Sequence, residues 1–121
     1  MRILVIDPNT LFLQAARNFI GALPQCECFA AATLQEAFEQ DALRRAELVL
    51  LDYSLRRRAG ENLVGRIRML APAARVVMLA GDAPAYRSLC LAAGADECIA
   101  KDALGHELPR LLASRAGREC A

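Results

Sequence analysis

The stretch LVLLDYSL at residues 48–55 gives the strongest indication of the fold, because an unbroken apolar run ends abruptly in a carboxylate. Two other runs have the same character, RILVI at residues 2–6 and RVVMLA at residues 75–80. Short runs with almost no polar residue are typical of parallel strands that are covered on both faces. We therefore predict that residues 48–52 form a strand inside a parallel sheet.

On both sides of this run, strand patterns alternate with helix patterns. Weaker strand candidates lie at residues 26–31 and 97–100. Apolar residues three or four apart mark a helix after each strand: Leu11, Ala15 and Phe19; Leu34, Ala37 and Phe38; Leu63, Ile67 and Leu70; Tyr86, Leu89, Cys90 and Ala93; Leu108, Leu111 and Leu112. Five strand and helix units of this size predict an α/β fold with a doubly wound, five-stranded parallel sheet.

Capping residues and chain length agree with this division. Thr33 and Glu36 form a capping box at the start of the second helix, and Gly94 stands where the fourth helix needs a C-terminal cap. The 121 residues suit one domain, which we assign to residues 1–116. Helical periodicity is lost after Ser114, so we interpret residues 117–121 as a tail or truncated linker.

Composition argues against several classes of function. Fifteen basic and 14 acidic residues give a net charge of +1, which offers no electrostatic reason to expect direct binding of nucleic acid or an anionic membrane. No apolar run approaches the roughly 20 residues of a membrane span, and we expect a cytoplasmic protein. The loop DPNTLF at residues 7–12 lacks the glycines of a phosphate-binding loop. We expect that the chain is not an enzyme.

Cysteine and methionine are interpreted as packing residues. The five cysteines form an odd set without CxxC spacing, which argues against a disulfide framework and a structural zinc site. They are Cys26, Cys28, Cys90, Cys98 and Cys120. We predict that most of them are buried, and that Met69 and Met78 lie in the core.

Charged residues stand where the predicted strands end. Asp7 follows the first strand, Asp52 ends the third, and Lys101, the only lysine in the chain, follows the fifth. Ligands of open parallel sheets gather at the carboxyl ends of the strands. We therefore expect two carboxylates and a compact, flexible ammonium to converge at one edge of the sheet.

Each of these residues also has a structural interpretation. Asp7 before Pro8 would suit an N-cap followed by proline at the first helical position. Asp52 could close an Asx-turn after its strand, and Lys101 could pair with Asp52 only to stabilise this edge. The arginines at residues 56–58 are interpreted as a solvated loop, although a guanidinium could reach Asp52.

Four stretches resemble the receiver domains of response regulators in two-component signalling: ILVIDPNTLF, LVLLDYSL, RVVMLAG and AAGADECIAKDA. The last is similar to receivers that precede helix-turn-helix output domains, and the resemblance covers residues 1–114. It implies a flavodoxin-like (βα)5 fold with strand order 2-1-3-4-5. It also implies a phosphorelay partner, a histidine kinase or another phosphodonor.

The resemblance implies a role for four residues. Asp52 takes the phosphoacceptor position, and Lys101 takes the position of the lysine that contacts the phosphoryl group. Asp7, Asp52 and the backbone carbonyl of Ser54 would be ligands of Mg²⁺. A metal and a lysine suit this chemistry because they neutralise charge while a carboxylate attacks phosphorus.

At three positions the chain departs from the family pattern. Pro8 stands in place of the second acidic residue, Ala80 in place of the hydroxyl residue, and Cys98 in place of the switch aromatic. We therefore expect Mg²⁺ binding to be weak or absent and the switch to be degenerate. Two hypotheses follow: an atypical phosphoacceptor at Asp52, or a phosphorylation-independent pseudo-receiver that acts as a protein-protein interaction module.

The resemblance also implies an interaction surface. Receivers commonly dimerise through the fourth helix, fifth strand and fifth helix, which here would display Tyr86, Arg87, Glu97 and Arg110. A homodimer is therefore plausible. No basic recognition helix is evident, so we expect that this chain does not bind nucleic acid directly.

Overall fold

A computed structural model of the protein describes residues 1–56 and 62–113. Five parallel strands form one sheet in the order β2-β1-β3-β4-β5. The strands are β1 Arg2–Ile6, β2 Glu27–Ala31, β3 Leu48–Asp52, β4 Arg75–Ala80 and β5 Glu97–Ala100. The predicted α/β fold and strand order are confirmed, and the predicted strands match except that β2 begins one residue after Cys26.

The helices in the described part of the chain are α1 Thr10–Gly21, α2 Leu34–Glu39, α3 Asp41–Arg45, α4 Leu63–Leu70, α5 Ala83–Ala92 and α6 Leu104–Ala113. A short 3-10 turn, Lys101–Ala103, joins β5 to α6. Where one helix was expected after β2 there are two, because Gln40 between them has an extended backbone. Its side-chain amide donates to the carbonyl of Ala30 at 2.9 Å and ties the break to the edge strand. The predicted fourth and fifth helices are therefore α5 and α6.

Two apolar layers cover the sheet, as the unbroken strand patterns require. Alternate residues of β3 point to opposite faces, so Val49 and Leu51 enter one layer while Leu48 and Leu50 enter the other. One layer is closed by α2, α3, α4 and α5 and the other by α1 and α6. Every residue of β3 and β4 is buried. Because apolar burial is the main favourable term in folding, these strands anchor the site at their ends.

The predicted buried face of α1 is wrong. Residues Leu13, Ala16 and Ile20 are buried, whereas Leu11 and Phe19 of the predicted stripe are 77% and 46% exposed. Both rows have helical spacing, and periodicity cannot choose between them. Met69 is also exposed, contrary to prediction, while Met78 is buried as predicted.

The predicted caps are confirmed. Thr33 Oγ1 accepts from the Glu36 N–H at 3.0 Å, and Glu36 accepts in return from the N–H of Ala32 at 2.7 Å. Gly94 follows α5 with a φ of 104°, which strongly favours glycine. The tail at residues 117–121, with Cys120, lies outside the described residues. None of the described helices is long and apolar enough to cross a membrane.

The cysteines in the described part of the chain are free thiols. Cys26, Cys90 and Cys98 are buried, as predicted, and Cys28 is partly buried. Burial raises the pKa of the Cys28 thiol to about 11. The raised pKa keeps Cys28 in its thiol form at neutral pH, which agrees with its interpretation as a packing residue.

Candidate functional site

Three strand ends bring the predicted charged residues together. Asp7 directly follows β1, Asp52 is the last residue of β3, and Lys101 directly follows β5. The Lys101 Nζ lies 2.6 Å from Asp7 Oδ2 and 3.2 Å from Asp52 Oδ1. Asp7 is fully buried and Asp52 is 8% exposed. One ammonium thus bridges two buried carboxylates.

The remaining carboxylate oxygens accept hydrogen bonds from the adjoining loops. Asp7 Oδ1 accepts from the N–H of Asn9 at 2.8 Å. Asp52 Oδ2 accepts from the N–H of Ser54 at 3.1 Å and also from its hydroxyl. All four carboxylate oxygens therefore have a partner, and the two that face each other share the ammonium.

Among the structural interpretations, the one for Asp7 is wrong and the one for Asp52 agrees with the geometry. Asn9, not Asp7, is the N-cap of α1, because the helix begins two residues after Pro8 and the side chain of Asn9 accepts from Phe12 N–H. Asp52 closes an Asx-turn with Ser54 while it also contacts Lys101. Among the described residues, the side chains of Lys101 and Ser54 form hydrogen bonds with Asp52, and Arg56 forms neither a hydrogen bond nor an ion pair with it. Arg57 and Arg58 lie outside the described residues.

Burial and pairing act in opposite directions on the charges. Burial raises the pKa of Asp7 above its ordinary value, and the hydrogen bond with Lys101 reduces this rise. Burial alone would lower the pKa of Lys101, but hydrogen bonds to Asp7 and Asp52, with their charges, raise it overall. Lys101 is therefore held as an ammonium by the two carboxylates.

An aromatic ring completes the surroundings of the ammonium. The Nζ of Lys101 lies 4.6 Å from the centre of the Phe12 ring, within the range of a cation-π interaction. The prediction of the site from the sequence did not include Phe12, because only groups that could bind a metal or a phosphoryl group were considered. The signal that could have found it is its place in the first turn of α1, three residues after a good N-cap residue.

Comparison with known proteins decides the family. A family model described as the response regulator receiver domain matches residues 3–113. This chain belongs to that family. No curated protein sequence matches it.

Solved structures of similar fold include response regulators and receiver domain proteins. The RcsB response regulator of Salmonella typhimurium has a TM-score of 0.75 and 18% identity over 94% of this chain, which spans only 58% of that protein chain. A CheY-like receiver domain from Methanospirillum hungatei has a TM-score of 0.74 and 26% identity, with 98% and 95% of the two chains covered. CheY6 of R. sphaeroides, in a complex with the P1 domain of CheA3, has a TM-score of 0.67 and 24% identity, with 99% of this chain and 97% of that chain covered.

The donor set of this receiver does not fit a magnesium ion. Mg²⁺ requires near-octahedral oxygen coordination and is usually held by one or two free carboxylates. Here Pro8 has no side-chain donor, and the facing oxygens of Asp7 and Asp52 are already paired with an ammonium. In residues 1–56 and 62–113, no three His, Cys, Asp or Glu side chains are placed to hold a metal.

The other two departures from the family pattern lie in the core of the receiver. Ala80 ends β4 and is 2% exposed, and Cys98 in β5 is fully buried. Cys98 lies beside Cys90 of α5, whose pKa is raised to about 12 by burial and by a hydrogen bond with Cys98. Neither Ala80 nor Cys98 carries a group that could bond a phosphoryl oxygen strongly or swing between core and surface.

A second feature that sequence reasoning missed is an aromatic contact beside the site. Tyr53 follows Asp52, and its N–H donates to the carbonyl of Leu79 at 2.9 Å. Its ring lies 4.8 Å from the ring of Tyr86 in α5, at an interplanar angle of 38°. The residue after Asp52 thus touches a helix whose outer side chains are exposed.

Proposed function

We propose that Asp52 of this receiver domain is a phosphoacceptor that works slowly and with little help from Mg²⁺. The observation that carries the proposal is the 3.2 Å contact between Lys101 Nζ and Asp52 Oδ1 at the end of β3. A carboxylate oxygen would form the new bond to phosphorus while the bond from phosphorus to the donor nitrogen breaks. The donor nitrogen would leave with a proton from solvent, and the ammonium would neutralise charge on the transferred group.

The expected slowness has a physical reason. Ser54 donates to the Asp52 oxygen that does not contact Lys101, and this stabilises the ground state of the carboxylate. Pro8 and Ala80 offer neither a carboxylate to hold a metal nor a hydroxyl to bond the transferred group, so Lys101 is left to neutralise its charge. The chain accepts a phosphoryl group in this proposal and is not itself an enzyme.

The test is the mass of the intact protein after incubation with phosphoramidate, with and without Mg²⁺. We expect partial gain of one phosphoryl group, a change in rate of less than roughly twofold on adding Mg²⁺, and no gain in the matched variant Asp52→Asn. Labelling of Asp52→Asn would show that another residue is the acceptor. Fast labelling that depends on Mg²⁺ would contradict a degenerate site.

A second candidate function follows from the hydrogen bonds and ion pairs that occupy the carboxylate oxygens of Asp7 and Asp52. If the wild type gains no phosphoryl group, the receiver is better described as a phosphorylation-independent interaction module. In that case the contacts of Lys101 with Asp7 and Asp52 would hold one conformation permanently. The phosphoramidate experiment thus separates the two candidates.

Partners are proposed on the same basis. The CheY6 structure contains the P1 domain of a CheA3 protein, and we propose that a histidine kinase or another phosphodonor supplies the phosphoryl group here.

A cytoplasmic location and the lack of direct nucleic-acid binding stay predictions. Detection of the protein in a secreted fraction would contradict the first, and a gel shift by this chain would contradict the second.

We also propose a homodimer through α5, β5 and α6. Tyr86 and Leu89 of α5 are 36% and 46% exposed, which provides apolar surface for an interface. Arg110 of α6 pairs within the chain with Glu97 of β5 at 2.6 Å, so it adds polar surface without an unpaired charge. Sedimentation velocity is expected to show a concentration-dependent dimer that Leu89→Glu abolishes. A monomer at every concentration would contradict the proposal.

A further inference from the structure

A closed cycle of contacts connects Lys101 to the start of α1. Asp7 Oδ1 accepts from the N–H of Asn9 at 2.8 Å, and Asn9 Oδ1 accepts from the N–H of Phe12 at 3.1 Å. The ring of Phe12 lies 4.6 Å from Lys101 Nζ, which returns to Asp7 Oδ2 at 2.6 Å. The cap of α1 therefore determines where the Phe12 ring lies relative to the ammonium.

The aromatic ring of Phe12 is chemically suited to a position beside the Lys101 ammonium. An aromatic face carries partial negative charge and attracts an ammonium, while it offers no oxygen to a divalent metal. The neighbouring Pro8 provides neither a carboxylate nor an N–H. Among the described residues, the partners of the ammonium are thus two carboxylates and an aromatic face. Three partners at these distances restrict the positions that the flexible lysine side chain can adopt.

We propose that Phe12 is a positioning residue, which holds the Lys101 ammonium against Asp52. Its effect on phosphoryl transfer rests on the proposed function, whereas its effect on Lys101 does not. The competing interpretation is that Phe12 only fills space, since it is partly buried and packs against the core layer under α1. Only the positioning role requires the Lys101 side chain to become more mobile when the ring is removed, because loss of the ring current alone follows from either interpretation.

Lys101 offers an unusually clean probe because it is the only lysine in the sequence. Isotope-labelled lysine gives a single set of side-chain signals in a nuclear magnetic resonance spectrum of the whole protein. In the wild type we expect the ε-methylene protons to be shifted upfield by the ring current and to show Overhauser contacts with the Phe12 ring. Absence of these contacts overturns the proposal without any variant.

Two variants separate positioning from packing. Phe12→Leu keeps an apolar side chain but removes the aromatic face, and Phe12→Tyr keeps the face. We expect nuclear relaxation of the labelled ε-carbon to show a more mobile Lys101 side chain in Phe12→Leu and the wild-type mobility in Phe12→Tyr. Unchanged mobility of Lys101 in folded Phe12→Leu overturns the proposal.

The rate of phosphoramidate labelling provides the functional readout. The known strength of cation-π contacts leads us to expect a rate roughly threefold to tenfold lower in Phe12→Leu and restored in Phe12→Tyr. An unchanged rate in a folded Phe12→Leu variant whose Lys101 side chain has become more mobile overturns the role in transfer. If neither wild type nor variants are labelled but the Lys101 signals behave as expected, the proposed phosphoacceptor function fails while the positioning of Lys101 by Phe12 is supported.

Discussion

Replacing Lys101 with methionine is expected to lower the free energy of unfolding near pH 7 by about 2–3 kcal/mol. Methionine keeps a long apolar side chain but removes the ammonium between Asp7 and Asp52. Asp7 is fully buried, and its Oδ2 has no other hydrogen-bond donor among the described residues. The estimate lies below the usual range for a broken buried pair because the side chain of Lys101 is 25% exposed. Urea unfolding measures the change.

The loss should depend on pH in a defined direction. The pKa of Lys101 is raised, so its stabilisation is complete below its ordinary value of 10.5 and is lost as the pH rises through the higher folded-state value. The pKa of Asp7 is also raised, so ionising this carboxyl costs stability once the pH passes its ordinary 3.8. Without the ammonium that cost is larger. The difference between wild type and Lys101→Met is therefore expected to be small near pH 3 and to grow toward neutrality.

Two further variants serve as controls. Arg44→Met removes a positive charge from an exposed position in α3 and is expected to change the free energy of unfolding by less than about 0.5 kcal/mol. The double variant Lys101→Met with Asp7→Asn removes the unpaired buried charge and should recover more than half of the loss. If Lys101→Met is as stable as Arg44→Met at neutral pH, the ammonium does not compensate for the burial of the two carboxylates.

The fold could be predicted from the sequence because its strands have an unambiguous pattern. Continuous apolar runs such as Leu48–Asp52 permit little besides a strand covered on both faces. The errors lie where two solutions satisfy the same pattern. The buried face of α1 depends on the rotation of the helix, which the cap at Asn9 sets. The break between α2 and α3 depends on a long-range bond from Gln40 to β2, which periodicity does not report.

The candidate site, like the fold, could be predicted only in part. Strand order and strand ends were enough to predict that Asp7, Asp52 and Lys101 converge. The contact of Phe12 and the contact of the Ser54 hydroxyl were not predicted, because they depend on where particular helix and loop side chains point. A hydroxyl two residues after a carboxylate, or a ring one turn into a helix, is common in any sequence. Such a group can be recognised as part of the site only once its distance to the site is known, as for the Phe12 ring and the Lys101 ammonium.

Replacing Pro8 with aspartate is expected to give this receiver a site for Mg²⁺. The new carboxylate would stand beside Asp7 without a partner of its own, so it would supply the free oxygen ligand that the present donor set lacks. We expect Mg²⁺ to accelerate phosphoramidate labelling of Pro8→Asp by roughly tenfold to a hundredfold, compared with less than roughly twofold in the wild type. Intact-mass kinetics over a series of Mg²⁺ concentrations measure both effects.

A thermal midpoint gives an independent readout of the same variant. A third carboxylate near Asp7 and Asp52 adds like-charge repulsion, so Pro8→Asp should melt at a lower temperature than the wild type without metal. Bound Mg²⁺ would reverse this loss, because a ligand that binds only the folded state stabilises it. The neutral control Pro8→Asn also removes proline, and its asparagine side chain is almost the same size as aspartate. Its melting temperature should respond to Mg²⁺ no more than that of the wild type. Equal responses of Pro8→Asp and Pro8→Asn would mean that the ammonium of Lys101, rather than the missing carboxylate, keeps the metal out.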